Sequence, residues 1–331
     1  MTLVADWQLE HPSGHKPYEW HEAPFWAGLH ALARLSSNRQ KYITAIRQNG
    51  ESNEWRPGPR PLHADDNAIT QSYFLLYGLE HDPRMIAPAL ARFEEMLRTP
   101  FAESLEFSSD KTAREWIWCD ALFMTPPALV LATTSTGDRR YADLMNRLWW
   151  KTTDYLYDKQ EHLFYRDSRF FEQREPNGKK VFWSRGNGWV LAGLARVLQY
   201  LPKDHSGRQR FVALFEEMAE RIVRLQGNDG YWRASLLDPE SRPMPETSGT
   251  GFITYALAWG VNVGLLDRTR FEPAARRGWS ALVRAVQPGG MLGYVQRVGF
   301  APGDTGPEQT EIYGSGAFLL AGSEVYRLSP R

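Results

Sequence analysis

An unusual group of aromatic, cationic and glycine residues lies near the middle of the chain. It reads Trp183-Ser-Arg-Gly-Asn-Gly-Trp189 and leads directly into an apolar stretch that ends at Leu198. Aromatic rings can stack on the C–H faces of a sugar, and the planar guanidinium of Arg185 can bind a carboxylate through two hydrogen bonds. Free N–H groups at a helix start add a favourable field for an anion. The segment therefore predicts that Trp183, Arg185 and Trp189 bind a sugar acid; the alternative is a flexible turn before a core helix.

A carboxylate between tryptophans is the second candidate group. Asp120 follows Trp116 and Trp118 closely, and an apolar stretch of helix length comes after it. Burial against aromatic rings raises the pKa of a carboxyl group, and general acid catalysis near neutral pH requires a carboxylic acid that stays protonated. These features predict Asp120 as a catalytic acid and Trp118 as part of the binding wall. The alternative is that Asp120 only caps the following helix.

Two adjacent carboxylates begin another predicted helix, in His63-Ala-Asp-Asp-Asn67. Neighbours on a helix diverge by about 100°, so only one of Asp65 and Asp66 can point straight into a site, and we expect the other to cap the helix. A carboxylate that faced Asp120 would raise its pKa further by like-charge repulsion, or could orient a water. Both are candidate catalytic residues, His63 is a candidate substrate-binding residue, and two capping acids are the alternative.

Metal and nucleotide sites have little support in the sequence. His21, His30 and His63 lie on different predicted elements, without the paired spacing that is typical of metal ligands. Gly186-Asn-Gly188 lacks the preceding strand and the lysine of a phosphate-binding loop. We therefore expect neither a metal nor another cofactor, and ordinary structural partners for these histidines.

Composition limits the kinds of partner. The 331 residues contain 39 Lys and Arg against 39 Asp and Glu, so no positive field favours nucleic acid. Thirteen Trp and fourteen Tyr exceed the needs of a core and are typical of concave ligand surfaces. No apolar run approaches the ~20 residues that span a bilayer, and the start shows no export signal. We expect a soluble protein that binds an oligosaccharide, in the cytoplasm or periplasm, with no membrane partner; its oligomeric state stays open.

Six apolar stretches of helix length, each preceded by polar or glycine residues, recur along the chain. Because they are apolar nearly all round, they predict helices buried on most faces. They are Pro24–Leu35, Asp65–Tyr77, Trp118–Leu131, Gly186–Leu198, Ser248–Trp259 and Gly314–Tyr326.

Amphipathic stretches alternate with the buried ones and predict an outer layer of helices. They are Pro83–Leu97, Arg139–Tyr157, Gln209–Gln226 and Glu272–Gln287. Six helical hairpins can close into an all-α (α/α)6 barrel, and an open solenoid is the alternative. No linker divides the chain, so residues 1–331 are expected to form a single catalytic domain. Short hairpins at the rim are expected at His162–Arg166 and Gly230–Arg233. In such a barrel the starts of the inner helices converge on one bowl, where we expect the chemistry.

The motifs together resemble the unsaturated glycuronyl hydrolases, specifically glycoside hydrolase family 105, the unsaturated rhamnogalacturonyl hydrolases, with family 88 as the close sister. Proteins of this kind are (α/α)6 barrels, so the resemblance and the periodicity agree. The resemblance rests on His63-Ala-Asp-Asp, Trp118-Cys-Asp-Ala-Leu-Phe-Met, Phe182-Trp-Ser-Arg-Gly-Asn-Gly-Trp, Glu246-Thr-Ser-Gly-Thr and Tyr313-Gly-Ser-Gly-Ala-Phe-Leu-Leu-Ala-Gly-Ser-Glu.

The resemblance implies hydration of a double bond. Polysaccharide lyases of pectin-type substrates leave a 4,5-unsaturated uronic acid at the non-reducing end, and Asp120 would protonate its C4 and align the water that attacks C5. Asp65, in slight preference to Asp66, would match the second carboxylate of the family. Arg185 would bind the substrate carboxylate, while Trp183 and Trp189 would stack on its ring.

One position departs from the family. Many members carry a histidine where this chain has Arg166, followed by Asp167. Arg166 is therefore a candidate substrate-binding residue for a carboxylate or sulfate, and the substrate could be another lyase product. Two alternatives are an inverting glycosidase with Asp120 as acid and Asp66 as base, and a non-hydrolytic epimerase or sugar-binding barrel.

Overall fold

Helices make up the body of the protein, whose computed structural model describes residues 1–109 and 111–328. Two short strands, β1 (Tyr157–Asp158) and β2 (Leu163–Phe164), pair in antiparallel fashion. The helices are α1 (Thr2–Glu10), α2 (Ala23–Ala33), α3 (Arg39–Ser52), α4 (Ala64–Asn67), α5 (Thr70–Glu80), α6 (Ala87–Arg98), α7 (Ala121–Met124), α8 (Pro126–Thr136), α9 (Arg140–Leu156), α10 (Ser184–Tyr200), α11 (Arg208–Val223), α12 (Thr247–Asn262), α13 (Arg268–Arg284) and α14 (Ile312–Arg327). None of these helices is both long and apolar enough to cross a membrane.

A closed ring of inner helices forms the core. Helix α2 packs on α5, α5 on α8, α8 on α10, α10 on α12, α12 on α14, and α14 returns to α2. Because the last inner helix contacts the first, the fold is the predicted (α/α)6 barrel and not an open solenoid. The all-apolar stretches lie here, since nearly every residue of α10, α12 and α14 is buried. At the closure of the ring, a Cβ on Gly316 would lie 2.3 Å from the backbone of Pro24, so only glycine allows this contact.

The outer helices pack against the ring. The predicted amphipathic stretches correspond to α6, α9, α11 and α13. Helix α1 packs on α14 and α3 packs on α2, and the sequence analysis missed both. Their apolar stripes are narrow: α3 buries only Tyr42, Ile43, Ile46 and Gly50 among its fourteen residues, so the periodicity that marks a helix is weak.

Two of the predicted inner helices are interrupted. The stretch after Trp118 divides into α7 and α8 at Pro126-Pro127, because proline lacks an N–H and is tolerated only in the first turn of a helix. The stretch after Asp65 divides into α4 and α5, since Ala68 donates its N–H to the carbonyl of Asp65, three residues back. Each break leaves a short helix at the rim that carries or follows a candidate carboxylate.

One of the two predicted hairpins is confirmed. The strands β1 and β2 form the hairpin expected near His162. The hairpin expected at Gly230–Arg233 is wrong, because this segment closes a turn in which Gly227 donates to the carbonyl of Tyr231. The N–H of Trp232 donates to the Thr250 hydroxyl on α12 at 3.0 Å, so it is not used in pairing with a strand.

Candidate active site

A pocket lies at the rim where the inner helices begin. Its volume is about 180 Å³, and its lining comes from the segments that precede or start α2, α5, α8, α10 and α14. This is the bowl in which the sequence predicted the chemistry. Seven predicted site residues line it: Asp65, Trp118, Asp120, Arg166, Trp183, Arg185 and Trp189.

Asp120 lies immediately before α7 and is 8% exposed. Its side chain accepts no hydrogen bond from the start of that helix, so the structure does not show the capping role considered as the alternative. One carboxylate oxygen faces Nε of Arg166 at 3.3 Å, and the Cys119 thiol donates to the other at 3.7 Å. Burial raises the pKa of Asp120, whereas the cations Arg166 and Arg185 lower it; the net shift is upward.

Asp65 is the second carboxyl group of the pocket and lies on α4. Among the described residues, its buried Oδ1 accepts no hydrogen bond. Burial raises its pKa to about 7; the Arg60 cation opposes this shift, and the negative charges of Asp120 and Asp66 add to it. The negative charge of Asp120 therefore helps burial to keep Asp65 protonated.

Asp66 turns away from the pocket. It accepts the backbone N–H of Arg60 at 2.6 Å and the guanidinium of Arg60 at 2.5 Å. Its own carbonyl accepts the N–H of Gly58 at 2.7 Å. Asp66 therefore shapes the loop before α4, and the prediction that it acts as a catalytic base, in the main or the alternative mechanism, is not supported by its position.

The predicted tryptophans form the pocket wall with little of their ring faces free. Trp118, Trp183 and Trp189 are 2%, 3% and 1% exposed; Trp189, for example, packs against Phe252 with ring centroids 4.1 Å apart. Trp20, which the sequence analysis missed, also lines the pocket and is only half-buried. It offers the more accessible ring, and the sequence gives little sign of it because it lies in the irregular segment before α2.

Arg185 has a structural task that the sequence did not indicate. Its Nη1 donates to the carbonyl of Gln296 at 2.5 Å and its Nη2 to the carbonyl of Arg297 at 3.0 Å. Its guanidinium lies over the rings of Trp183 and Tyr313, at 4.2 and 5.0 Å. Arg185 therefore holds the backbone before α14 against the pocket, and its expected contact with a substrate carboxylate stays a prediction.

Arg166, a predicted substrate-binding residue, contacts the candidate acid directly. Besides Asp120, it binds Asp167 at 2.7 Å through Nη1. Its guanidinium lies 5.7 Å from the ring of Phe107 and 5.1 Å from that of Phe300. This arginine can orient the Asp120 carboxyl group and still present N–H groups to an anionic ligand.

The histidines do not line the pocket within residues 1–109 and 111–328. His63, predicted to bind substrate, instead accepts the N–H of Asp65 at 3.3 Å and packs on Trp118 with ring centroids 5.0 Å apart. It is a cap of α4 that supports the wall. His30 bonds the carbonyl of Ser72 at 3.1 Å, the ordinary partner that was expected.

One group of potential metal ligands pairs His21 with residues that the sequence analysis did not consider. His15, Glu19 and His21 place potential metal-ligand atoms within 4.8 Å of one another. The two imidazole rings are stacked, with centroids 3.7 Å apart and an interplanar angle of 4°. In this arrangement their nitrogen lone pairs lie in parallel planes and do not converge on one ion, so the group does not form a metal site as it stands.

Cations from irregular segments complete the pocket. Arg60 and Lys111 line it, and neither lies in a periodic helix that sequence reasoning could have placed. With Arg166 and Arg185 they outnumber the carboxyl groups Asp65 and Asp120. The pocket therefore favours an anionic substrate.

Comparisons with known proteins find relatives that match almost the whole chain. The model of Glycosyl Hydrolase Family 88 matches residues 2–329. A Formosa agariphila protein named unsaturated 3S-rhamnoglycuronyl hydrolase is 41% identical over 341 residues, covering 99% of this chain and 90% of that protein. A solved structure described as family 88 from Bacteroides vulgatus is 31% identical with a TM-score of 0.89, covering 99% of this chain and 98% of that one. A structure described as a polysaccharide lyase is 33% identical with a TM-score of 0.88, covering 98% and 94%.

Structures described as members of family 105 are more distant. One from C. acetobutylicum is 19% identical with a TM-score of 0.78 and covers 98% of both chains. A likeness at this level of identity shows the fold alone, so it does not extend to the specific family that the sequence analysis expected.

Proposed function

Because this chain belongs to Glycosyl Hydrolase Family 88, we propose that it removes an unsaturated uronic acid from the non-reducing end of lyase-generated oligosaccharides. The observation that carries the proposal is that two carboxyl groups, the buried Asp120 and the half-buried Asp65, line one pocket that also holds Arg60, Lys111 and Arg166. Two carboxyl groups of raised pKa supply a transferable proton near neutral pH. The cations match an acidic sugar.

The proposed reaction is hydration of the C4–C5 double bond of the uronide. Asp120 donates a proton to C4, a water oxygen bonds to C5, and the proton released by that water returns to the carboxyl pair, so the enzyme is regenerated. The hemiketal formed at C5 opens, and the sugar attached at C1 leaves. Asp65 holds the second carboxyl group of the pair and keeps a proton available, since its pKa is raised to about 7 chiefly by burial.

Substrate recognition is proposed to use the remaining lining residues. Arg166 and Arg185 are placed at the uronate carboxylate, and Trp20 at an exposed face of a sugar ring. The walls formed by Trp118, Trp183 and Trp189 limit the width of the pocket, as expected where only a terminal sugar unit is admitted.

The released sugar is proposed to be rhamnose or a rhamnose derivative. The Formosa agariphila relative is named a rhamnoglycuronyl hydrolase, and the resemblance to family 105 implies a rhamnogalacturonyl substrate. Both names describe an unsaturated uronide attached to rhamnose, and the double bond removes the C4 stereocentre at which glucuronate and galacturonate differ. The more specific proposal is therefore a pectin-type substrate, as the resemblance to family 105 implies.

A second candidate function is polysaccharide lyase activity, because a structure 33% identical to this chain is described as a polysaccharide lyase. A lyase removes the C5 proton of an intact uronide and creates the double bond that the hydrolase consumes. Both reactions need a cationic pocket for the uronate carboxylate. They change the ultraviolet absorbance of the conjugated double bond in opposite directions.

The test exposes the purified protein separately to lyase-digested oligosaccharides with a terminal unsaturated uronide on rhamnose and to the undigested polysaccharides. We expect ultraviolet absorbance to fall with the digested oligosaccharides and to stay constant with the intact polymers. A rise of absorbance with an intact polymer would replace the proposal by the lyase function. Digested rhamnogalacturonan and digested rhamnoglucuronan, compared by kcat/KM, distinguish the two forms of the proposed substrate.

A further inference from the structure

The barrel has a second cavity at the opposite end, where the inner helices finish; we call it the rear chamber. Its volume is about 520 Å³, in the range that holds small-molecule ligands. Residues of α2, α5, α8, α10, α12 and α14 line it. Arg185 of the active-site pocket and Arg196 of the rear chamber lie on the same helix, α10, about 16 Å apart along its axis.

A buried cation forms the floor of the rear chamber. Arg196 is 3% exposed, and its guanidinium stays charged in any protein environment. Its Nε donates to Oε1 of Gln71 at 2.8 Å, and the hydroxyl of Tyr255 is a further hydrogen-bonding neighbour. Its buried Nη2 has no hydrogen-bond partner among the described residues. Both named partners are neutral, and the Phe123 ring lies 5.9 Å from the guanidinium; among the described residues no carboxylate forms an ion pair with Arg196.

The rest of the lining adds positive charge. Arg34, Arg39 and Arg327 contribute guanidinium groups, against the single carboxylate of Glu324 in this lining. Arg327 is paired with Glu324 at 3.0 Å. In the part of the chain that the structure describes, the other arginines of the chamber form no ion pair. Burial of a cation without a counter-charge costs free energy. The partial negative charge at helix C-termini compensates only part of this cost.

We propose that the rear chamber binds a small molecule that carries an oxyanion, a carboxylate, sulfate or phosphate group. The oxyanion accepts from Nη2 of Arg196 at the floor, while Arg34 and Arg39 attract it at the exposed mouth. An oxyanion matches the planar N–H groups of a guanidinium. The volume of about 520 Å³ leaves room for a ligand of monosaccharide size as well as for an inorganic ion.

The floor of the rear chamber is connected to the active-site turn. Gln71, the partner of Arg196, also donates through Nε2 to the carbonyls of Phe123 and Met124, both at 2.8 Å. These residues end α7, the helix that follows Asp120. Substitution of Arg196 can therefore disturb the catalytic turn or the fold. A variant that fills the chamber from its mouth tests the proposal without this side effect.

Gly78 provides that variant. It lines the chamber on α5, and a Cβ at this position would meet no heavy atom within 4 Å. The ring introduced by Gly78→Phe can therefore enter the chamber without displacing the backbone. Gly306 is a matched control, because its Cβ position is also open and it lies in the segment before α14, on the active-site side. Arg34→Glu tests the charge at the mouth on an exposed side chain.

The experiment is isothermal titration of the full chain with inorganic phosphate and, separately, with D-glucuronate. We expect at least one of these probes to bind at one site. Gly78→Phe and Arg34→Glu should weaken its affinity about tenfold or more, whereas Gly306→Phe and Arg166→Met should leave the affinity unchanged. Binding of phosphate alone assigns the chamber to a free oxyanion, and binding of glucuronate alone assigns it to a sugar acid. Absence of binding for both probes overturns the proposal, as does binding that survives Gly78→Phe.

Discussion

Asp65 and Asp66 are neighbours in the sequence with opposite environments. Asp65 faces the pocket and Asp120, whereas Asp66 is bound to the backbone and side chain of Arg60. Helical geometry predicted that only one of the two acids could face the site, and the family resemblance added only a slight preference for Asp65. The choice depends on the loop at Gly58, which reaches Asp66 from outside the helix and whose conformation local sequence does not define.

These environments predict opposite stability effects. Asp65 has a folded-state pKa of about 7, above that of an unfolded aspartate, so the folded state loses stability as pH rises from about 4 to about 7. Asp65→Asn removes that loss, so its unfolding free energy at pH 8 should exceed that of the wild type by on the order of 4 kcal/mol, with little difference at pH 4. Thermal unfolding at both pH values measures it.

The matched variant is Asp66→Asn. It breaks the charged contact with Arg60 and should lower the unfolding free energy by about 1–3 kcal/mol at pH 7. If Asp65→Asn destabilises at pH 8 as much as Asp66→Asn does, the assignment of the two environments is wrong.

Arg166 governs the proton affinity of Asp120. Its cation lowers the pKa of Asp120 against the upward effect of burial, so Arg166→Met should raise that pKa. Because the proposed acid acts in its protonated form, the alkaline limb of the pH profile of kcat should move to higher pH. Arg169→Met is the control, since Arg169 binds Asp167 and is not hydrogen-bonded to Asp120. An alkaline limb that stays in place, or moves down, in Arg166→Met would contradict the role of Arg166.

At the scale of elements, buried helices were the most predictable part of the molecule. Stretches that are apolar all round can only be buried, and α10, α12 and α14 appear within three residues of their predicted bounds. The breaks before α5 and α8 and the amphipathic α3 were not predicted. They depend on local i to i−3 bonds, on paired prolines and on a narrow apolar stripe, each of which weakens the periodic signal.

The contact between α7 and α10 positions the catalytic turn. A Cβ on Gly193 of α10 would lie 2.4 Å from the carbonyl oxygen of Leu122, so the α7 backbone lies directly on this glycine. Gly193→Ala should therefore lower the unfolding free energy by about 1–3 kcal/mol and reduce kcat by shifting the turn that carries Asp120. Urea unfolding and steady-state kinetics check both effects.

Gly78→Ala is the control for that substitution. Its Cβ position is open, and replacing an exposed helical glycine by alanine should raise stability by about 0.5–1 kcal/mol. Equal stability changes in the two variants would mean that close packing at Gly193 does not position α7.

At the scale of the whole molecule, closure of the ring explains why distant motifs meet. Because inner and outer helices alternate along the chain, all inner helices begin at the same rim. The sequence could therefore place Asp65, Asp120 and Arg185 in one bowl from their positions at helix starts. It could not identify Trp20, Arg60 or Lys111, which come from irregular segments. Nor could it reveal the rear chamber. The residues of this chamber form no sequence motif and have in common only that most lie near the ends of the inner helices.

We propose that residues 1–331 form one domain. The N-terminal helix α1 packs on the C-terminal helix α14, where the Ser315 hydroxyl donates to the side chain of Gln8 at 2.8 Å. Tryptophan fluorescence and far-ultraviolet circular dichroism should therefore report the same urea midpoint. Two separated transitions would show that the chain divides into independent units.

The central claim is that the sugar leaves because the uronide double bond is hydrated. The most direct measurement follows the ultraviolet absorbance of that bond and the release of the reducing sugar in the same reaction, with wild type and Asp120→Asn. We predict that absorbance falls in step with sugar release and that Asp120→Asn slows both together by about 10²–10⁴-fold. Sugar release with the absorbance intact, or full activity in Asp120→Asn, would contradict the account.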